Sequence, residues 1–385
     1  MDYFPARLPA NKPTGTKLSA AMHRQYDLWD STAEYDNEYY SRFRYSELAG
    51  FPDDGFVSRR DPSKVIKVGD RYYVYYTCRR TGNDIVAAGE DDDTHASTDW
   101  DLADIYVATS RDGFAWEEKG PALRRSKPGQ FGCRSLSTPD VLPWNGRYYL
   151  FVQVYSDLIR NDSCPVSVGV ADHPEGPFEL LDRELIPLGP RDSWDGNSIH
   201  DPYPLIYRNR IHLYYKGHPV RFKSPDTMYL AQGVAIADTP EGPFTKYEGN
   251  PVLNSGHETM LWPYREGIAS LQIRNGNEGN TVQYAPDGLN FQLKAIVDIP
   301  PHAGGPYIPD LLANNGDGRG ILWGLCFVRS SYKERYRSRL LRFDCSLSRD
   351  LERPGFKGAR QYTAEQYLAF PLSPEERSFL TGAGA

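Results

Sequence analysis

Arg60-Asp61-Pro62-Ser63-Lys64-Val65-Ile66-Lys67-Val68-Gly69-Asp70-Arg71-Tyr72-Tyr73-Val74-Tyr75-Tyr76 is the stretch that decides the fold. An acidic residue beside proline opens it, two β-prone runs follow, and Gly69-Asp70 turns one back along the other as a hairpin. The same order returns downstream. Thr138-Pro139-Asp140 leads to a hairpin turned by Asn145-Gly146, and His200-Asp201-Pro202 to one turned by Arg208-Asn209. His257-Glu258 and Ile308-Pro309-Asp310 open two further units, the last shorter and looser. The acidic residues of the five openers lie 79, 61, 57 and 52 positions apart. A β-type repeat of that length predicts an all-β chain, a five-bladed β-propeller with four strands to a blade. A propeller gathers the first strands of its blades around one axis, so acidic openers from different blades are expected to share one pocket.

Working outward, the later half of each unit also repeats. Asp112-Gly113 and Asp287-Gly288 mark outer turns, and so do Pro174-Glu175-Gly176-Pro177 and Pro240-Glu241-Gly242-Pro243. The 385 residues suit a single closed all-β domain at 49–350, with a tail and helical arm at 1–48 and an extension packing on the propeller at 351–385. Within the arm, Ser19–Trp29 and Ala33–Leu48 read as two helices, a helix-turn-helix-like pair whose aromatic stripes need the blades or another subunit for cover. A net charge of −7 argues against nucleic acid. No apolar run is long enough for a membrane span, and no leader pattern is visible. The five dispersed cysteines, without a Cys-x-x-Cys pair, suggest buried free thiols and a reducing, cytoplasmic setting rather than a metal or redox site. The 27 tyrosines admit two readings, sheet packing or a sugar-binding cleft.

Ser19-x-Ala21-x-x-Arg24 resembles the Ser-x-Ala-x-x-Arg signature of glycoside hydrolase family 117, and with the five acidic openers the resemblance covers most of the chain. It implies a five-bladed propeller whose helical arm exchanges between the subunits of a homodimer. It also implies an exo-acting, inverting hydrolase of neoagaro-oligosaccharides that cleaves α-1,3 bonds and releases 3,6-anhydro-L-galactose, an agar-degrading step of carbohydrate metabolism.

Glycoside hydrolysis needs an acid for the departing oxygen and a carboxylate opposite it, about 6.5–9.5 Å apart in inverting enzymes. Asp61 matches the family's general base. Asp201 matches the carboxylate that orients the acid and raises its pKa. Glu258 matches the acid, with His257 beside it as a second donor, and Glu266 competes from the same blade. Arg79, Trp116, Gln153, Trp194, His200 and Trp262 are candidate sugar contacts near blade tips or on strands aimed at the axis. Asp140 and Asp310 are expected to make ring-closing hydrogen bonds. No cofactor or metal is required, although an acidic axis leaves room for a bound cation. Glu90-Asp91-Asp92-Asp93 with His95 reads as a solvated loop, lacking the spaced ligands of a calcium loop. Two other functions fit the fold: a propeller glycosidase for another sugar (arabinofuranosidase, xylosidase or other galactan hydrolase), and a non-catalytic carbohydrate-binding propeller. The openers differ from blade to blade, which favours catalysis over repeated binding sites.

Overall fold

A computed structural model describes residues 4–26, 38–52, 55–80, 85–87, 89–159, 163–220, 230–309, 311, 317–329 and 337–349, with 364, 368, 371–374 and 377 beyond them. The chain is nearly all-β. One short helix, α1 (Ala20–Arg24), precedes β1 (Arg44–Glu47). β2 (Ser58–Arg60), β3 (Ile66–Val68), β4 (Arg71–Arg79), β5 (Asp104–Ser110) and β6 (Trp116–Leu123) form the first sheet. β2 and β3 both pair with β4, so they are halves of one strand broken around Asp61. The second sheet is the meander β7 (Ser135–Trp144), β8 (Arg147–Tyr155), β9 (Val166–Ala171) and β10 (Glu179–Leu180). The third is β11 (Ser198–Tyr207), β12 (Arg210–His218), β13 (Ala231–Ala237) and β14 (Thr245–Lys246).

β15 (Met260–Arg265), β16 (Gly267–Gln272), β17 (Thr281–Ala285) and β18 (Gln292–Ile296) make another meander. It joins β19 (Gly305–Pro306), β20 (Gly318–Arg329) and β21 (Ser338–Ser348) through the pairs Tyr264↔Arg319 and Arg265↔Gly318 alone. β1 adds to the outer edge of β21, Arg44 opposite Asp344 and Glu47 opposite Leu341. Residues 44–47 are therefore strand, not the end of a second helix. The unpaired edge of β21 offers hydrogen bonds that an isolated short helix cannot match. Phe43 packs edge-on against Phe343 at 6.0 Å. The expected first helix shortens to α1, capped by the Ser19 hydroxyl. Residues 27–37, including Trp29 and Tyr35, lie outside the described residues, as does nearly all of 351–385.

The inner hairpins turn where the sequence places them, at Gly69-Asp70, Asn145-Gly146 and Arg208-Asn209. Tyr75, Tyr76, Tyr214 and Tyr215 are fully buried, which decides the tyrosine question at those positions for packing. The hydroxyls of Tyr75 and Tyr214 bolt neighbouring sheets together. Tyr75 donates to the Pro174 carbonyl in the outer turn of the next sheet, and Tyr214 donates to the Gly288 carbonyl at 2.7 Å. The last sheet treats the first alike, Arg342 reaching the Gly113 carbonyl at 3.3 Å. Val65 and Tyr307 form a parallel bridge between the first and last sheets. Four of the five cysteines are buried, and none of the five is in a disulfide. No helix among the described residues is long and apolar enough to cross a membrane.

Candidate active site

Each opening strand breaks at one residue with positive φ: Asp61 (49°), Thr138 (46°), Asp201 (50°) and Glu258 (55°), and ahead of β19 Ala303 (47°). A side chain disfavours that region, and such strain gathers at functional sites. These residues, not simply the acidic ones, are the equivalent positions. Thr138 corresponds to Asp61, and Asp140 lies two residues further on. The fifth position is Ala303, not Asp310, which is outside the described residues. Residues before the break form a second set: Arg60, Ser137, His200, His257 and His302. At Ala303 relief of the left-handed backbone, about 1–2 kcal/mol, is set against a buried methyl in the cluster with Val65, Leu325 and Phe327, about 0.8 kcal/mol. Ala303→Gly is therefore expected to stabilise the fold by no more than about 1 kcal/mol. Urea unfolding of the two proteins measures it.

All five positions line one narrow cavity of ≈ 30 Å³, room for a water or two. The openers are tied side to side. Thr77 Oγ1 accepts from the Thr138 amide at 2.9 Å and donates to Asp61 Oδ2 at 3.3 Å. The Glu258 amide donates to Asp201 Oδ2 at 3.0 Å, and Lys216 Nζ lies 2.7 Å from the same oxygen. The Asp201 amide donates to Gln153 Oε1 at 3.1 Å, while Gln153 Nε2 donates to His200 Nδ1 at 3.0 Å. Gln153 thus orients Asp201 and His200 together.

Arg60 is the hub of charge. Its guanidinium contacts Asp61 Oδ2 at 2.8 Å, Asp99 Oδ1 at 2.7 Å and Glu258 Oε1 at 3.2 Å. It lies between the rings of Trp100 (4.6 Å) and Phe327 (4.7 Å). One oxygen of Asp61 is held this way, while Oδ1 is buried without a hydrogen-bond partner. Burial pushes Asp61 up to about 6, Arg60 pulling it down and Glu258 and Asp99 pushing it up. Glu258 goes the other way. Burial raises it, but the imidazoles of His257 and His302 and the Arg60 guanidinium outweigh burial and hold it well below the usual carboxylate range. His302 Nε2 approaches Oε2 to 2.9 Å without the alignment of a hydrogen bond, and Arg274 lies 3.3 Å from the same oxygen. Burial and then Lys216 push His257 down to about 3, so at neutral pH it is uncharged. The permanent charges of Arg60 and Arg274 then keep Glu258 ionised. Asn275 Nδ2 sits 2.8 Å from His257 Nδ1, which assigns the imidazole proton to Nε2, 3.8 Å from Glu258 Oε1.

The other expected residues divide. Asp140 joins Lys64, whose fully buried ammonium also reaches the Val141 and Pro204 carbonyls at 3.2 and 2.9 Å. A positive charge is therefore built in beside the openers. Glu266 is exposed at the β15–β16 turn, at the far end of β15 from Glu258, so it is no rival for the acid. Trp116, Trp194 and Trp262 are core residues, each at most 4% exposed. Trp194 stacks on Tyr215 at 5.6 Å, Trp116 lies over Phe51, and Trp262 is buried in β15, so none is a sugar platform in this arrangement. The reason is that ring size rewards burial between sheets more than a place at a rim. Arg79 is buried at the end of β4. In the acidic loop, Asp92 Oδ1 accepts from the Thr94 and His95 amides and Arg134 clasps two loop carbonyls, the geometry of a turn. No group of three or more metal-ligating side chains occurs among the described residues. A larger cavity of ≈ 700 Å³ lies at the hairpin-turn end, lined by Lys67, Trp144, Arg147 and Tyr148 and by no carboxylate among the described residues.

Solved structures resemble this arrangement. A family 117 glycoside hydrolase, Zg3597, from the marine bacterium Zobellia galactanivorans is 42% identical over 88% of this chain and 100% of its own, with a TM-score of 0.79. CoXyl43, a GH43 β-xylosidase/α-arabinofuranosidase from a compost microbial metagenome, is 17% identical over 78% and 94%, TM-score 0.52. A GH43_1 enzyme from Xanthomonas citri solved with xylose is 15% identical over 78% and 89%, TM-score 0.52. The last two likenesses concern the fold alone. No family model and no curated protein matches the sequence.

Proposed function

Because the chain belongs to glycoside hydrolase family 117, we propose that it is an exo-acting, inverting enzyme releasing 3,6-anhydro-L-galactose from the non-reducing end of neoagaro-oligosaccharides. The fold is read as five blades, β2/β3 to β6, β7 to β10, β11 to β14, β15 to β18, and β19 to β21 completed by β1. The observation that carries the reading is the convergence of Asp61, Asp201 and Glu258 at strained, equivalent positions around one pocket. Water held by the free Oδ1 of Asp61 attacks the anomeric carbon as Asp61 takes its proton. The bond to the leaving oxygen breaks, and that oxygen receives a proton from the His257–Glu258 pair. The pair must first take that proton up from solvent on substrate binding, because with His257 neutral and Glu258 ionised it has none to give. Asp201, held by Lys216, sits against the Glu258 amide and fixes the pair in place.

A second assignment has its own support. In this pocket Asp61 is the carboxyl with the raised pKa and Glu258 the one kept ionised, which suits Asp61 as acid and Glu258 as base. An aryl glycoside whose leaving group needs no protonation separates the two. Asp61→Asn keeps most of its rate on that substrate if Asp61 is the acid, and loses it if Asp61 is the base.

The function itself is tested with neoagarobiose and neoagarotetraose. Expected is release of 3,6-anhydro-L-galactose by the wild type alone, the new anomer inverted in early proton NMR spectra. A protein that cleaves an arabinoside or xyloside instead belongs with the alternative sugar readings. The arm is proposed to exchange between two copies. Residues 4–26 pack here on their own chain, and exchange would carry the same contacts to a partner. Sedimentation of the full chain and of a chain starting at residue 27 measures that.

A further inference from the structure

The Ser19-x-Ala21-x-x-Arg24 arm does not end in a free stripe; all three of its marked residues reach the two loops that hold the His257–Glu258 pair. Ser19 Oγ donates to the Pro251 carbonyl at 2.6 Å, and the Ala21 carbonyl accepts from Asn254 Nδ2 at 2.9 Å. Arg24 is a fork. Its Nε and a terminal nitrogen bind the two oxygens of Glu278 at 2.7 and 3.1 Å, and the other terminal nitrogen donates to the Phe291 carbonyl at 2.6 Å. Glu278 is 1% exposed, so this carboxylate depends on the arm for its counter-charge.

From Glu278 the contacts run without a gap to the pocket. Its amide donates to Ser255 Oγ at 3.0 Å. A Cβ at Gly276 would lie 2.1 Å from that Oγ, so the 274–278 turn is pressed directly on the 254–258 loop. The Gly256 amide donates to the Asn275 carbonyl at 3.3 Å, and the Asn275 side chain meets His257 Nδ1. Arg274, in the same turn, touches Glu258. The loops face each other across these bonds, and Arg24 locks the far side of one of them.

We infer that Arg24, acting through Glu278 and Asn275, is a positioning residue that fixes the tautomer and orientation of His257 and the placement of Glu258. The inference rests on the pair's catalytic role in either assignment above. The signature would then serve the reaction directly, whether the arm sits on its own chain or a partner's. Arginine is needed for the geometry: lysine supplies the charge, but its donors radiate from one nitrogen and cannot reproduce the parallel fork that Arg24 sets on the two Glu278 oxygens.

The test uses the full-length chain. Arg24→Lys keeps the charge, and Glu278→Gln removes the acid while keeping the shape, two independent conservative changes whose folding is checked by circular dichroism. Steady-state kinetics on neoagarobiose is run beside NMR of the ¹⁵N-histidine-labelled protein, with His257→Asn assigning the signals. Expected is a kcat 10- to 100-fold lower with KM within threefold, and a shift or doubling of the His257 ring signals while those of His212 stay put. Unchanged kcat and unchanged His257 signals in folded variants overturn the inference. So does a fall in Tm with no change in kcat, which makes the arm a structural clamp only. Should the wild type leave neoagarobiose intact, the substrate reading fails by itself, and the His257 signals decide on the brace.

Discussion

Asp61→Asn is expected to lose hydrolysis of neoagarobiose by about 10²–10⁴-fold, the range for a displaced acid–base group, and at the same time to become more stable. The two effects have one cause. Asp61 is 3% exposed and its carboxyl is pushed up to about 6, against an ordinary 3.8, because burial and two nearby carboxylates outweigh Arg60. A group raised in the folded state contributes stability that is complete below its unfolded pKa and is lost as pH rises through the folded one. Above about pH 6 the wild type therefore carries a buried charge that asparagine does not. The variant's advantage opens between about pH 4 and 6 and reaches about 2–3 kcal/mol at pH 7.5. Melting temperatures at pH 4 and 7.5 check it. A variant less stable at pH 7.5 would mean that the Arg60–Asp61 pair contributes more than burial costs.

The second large effect concerns Lys64. Its ammonium is wholly buried, paired with Asp140, and lies 4.4 Å from the Tyr203 ring, joining the first sheet to the second and third from one atom. Lys64→Met leaves Asp140 as a buried carboxylate without a cation, a loss of about 3–5 kcal/mol. Asp140→Asn in the same chain should restore most of it, since Oδ1 still accepts from the Lys64 and Val141 amides. Urea midpoints of the wild type, the single and the double variant order the three. A double variant no more stable than Lys64→Met would assign the loss to packing on Tyr203 rather than to charge.

The hairpins and the carboxylates were legible because both are local. Gly69-Asp70 and Asn145-Gly146 turn a chain wherever they occur, and Asp61, Asp201 and Glu258 stand beside them in repeating order. What the sequence hid is what depends on partners far along the chain. Arg60 stands next to Asp61, but its importance comes from Asp99, Glu258, Trp100 and Phe327 arriving from other sheets. His302 was missed because the fifth repeat was aligned on an acidic residue; aligned on the break before β19, it falls in the column of His200 and His257. The three tryptophans erred in the opposite direction, since nothing local distinguishes a ring at a rim from one between sheets. Residues 44–47 carry an aromatic spacing that suits a helix, and only the free edge of β21 makes them a strand.

That edge has a consequence for the living chain. Because Arg44 pairs with Asp344, the final sheet is made from both ends of the polypeptide, and the pocket takes residues from all four sheets. A ribosome delivers the first end long before the last, so β1 must wait, unmatched, until β21 has emerged. A nascent chain that has passed Glu258 already holds all three carboxylates, but the sheet that brings His302 beside them and gives β1 its partner is complete only once β21 has emerged. Contacts that span nearly the whole length also make this a slow closure, during which the waiting edge is the part that a chaperone would have to shield.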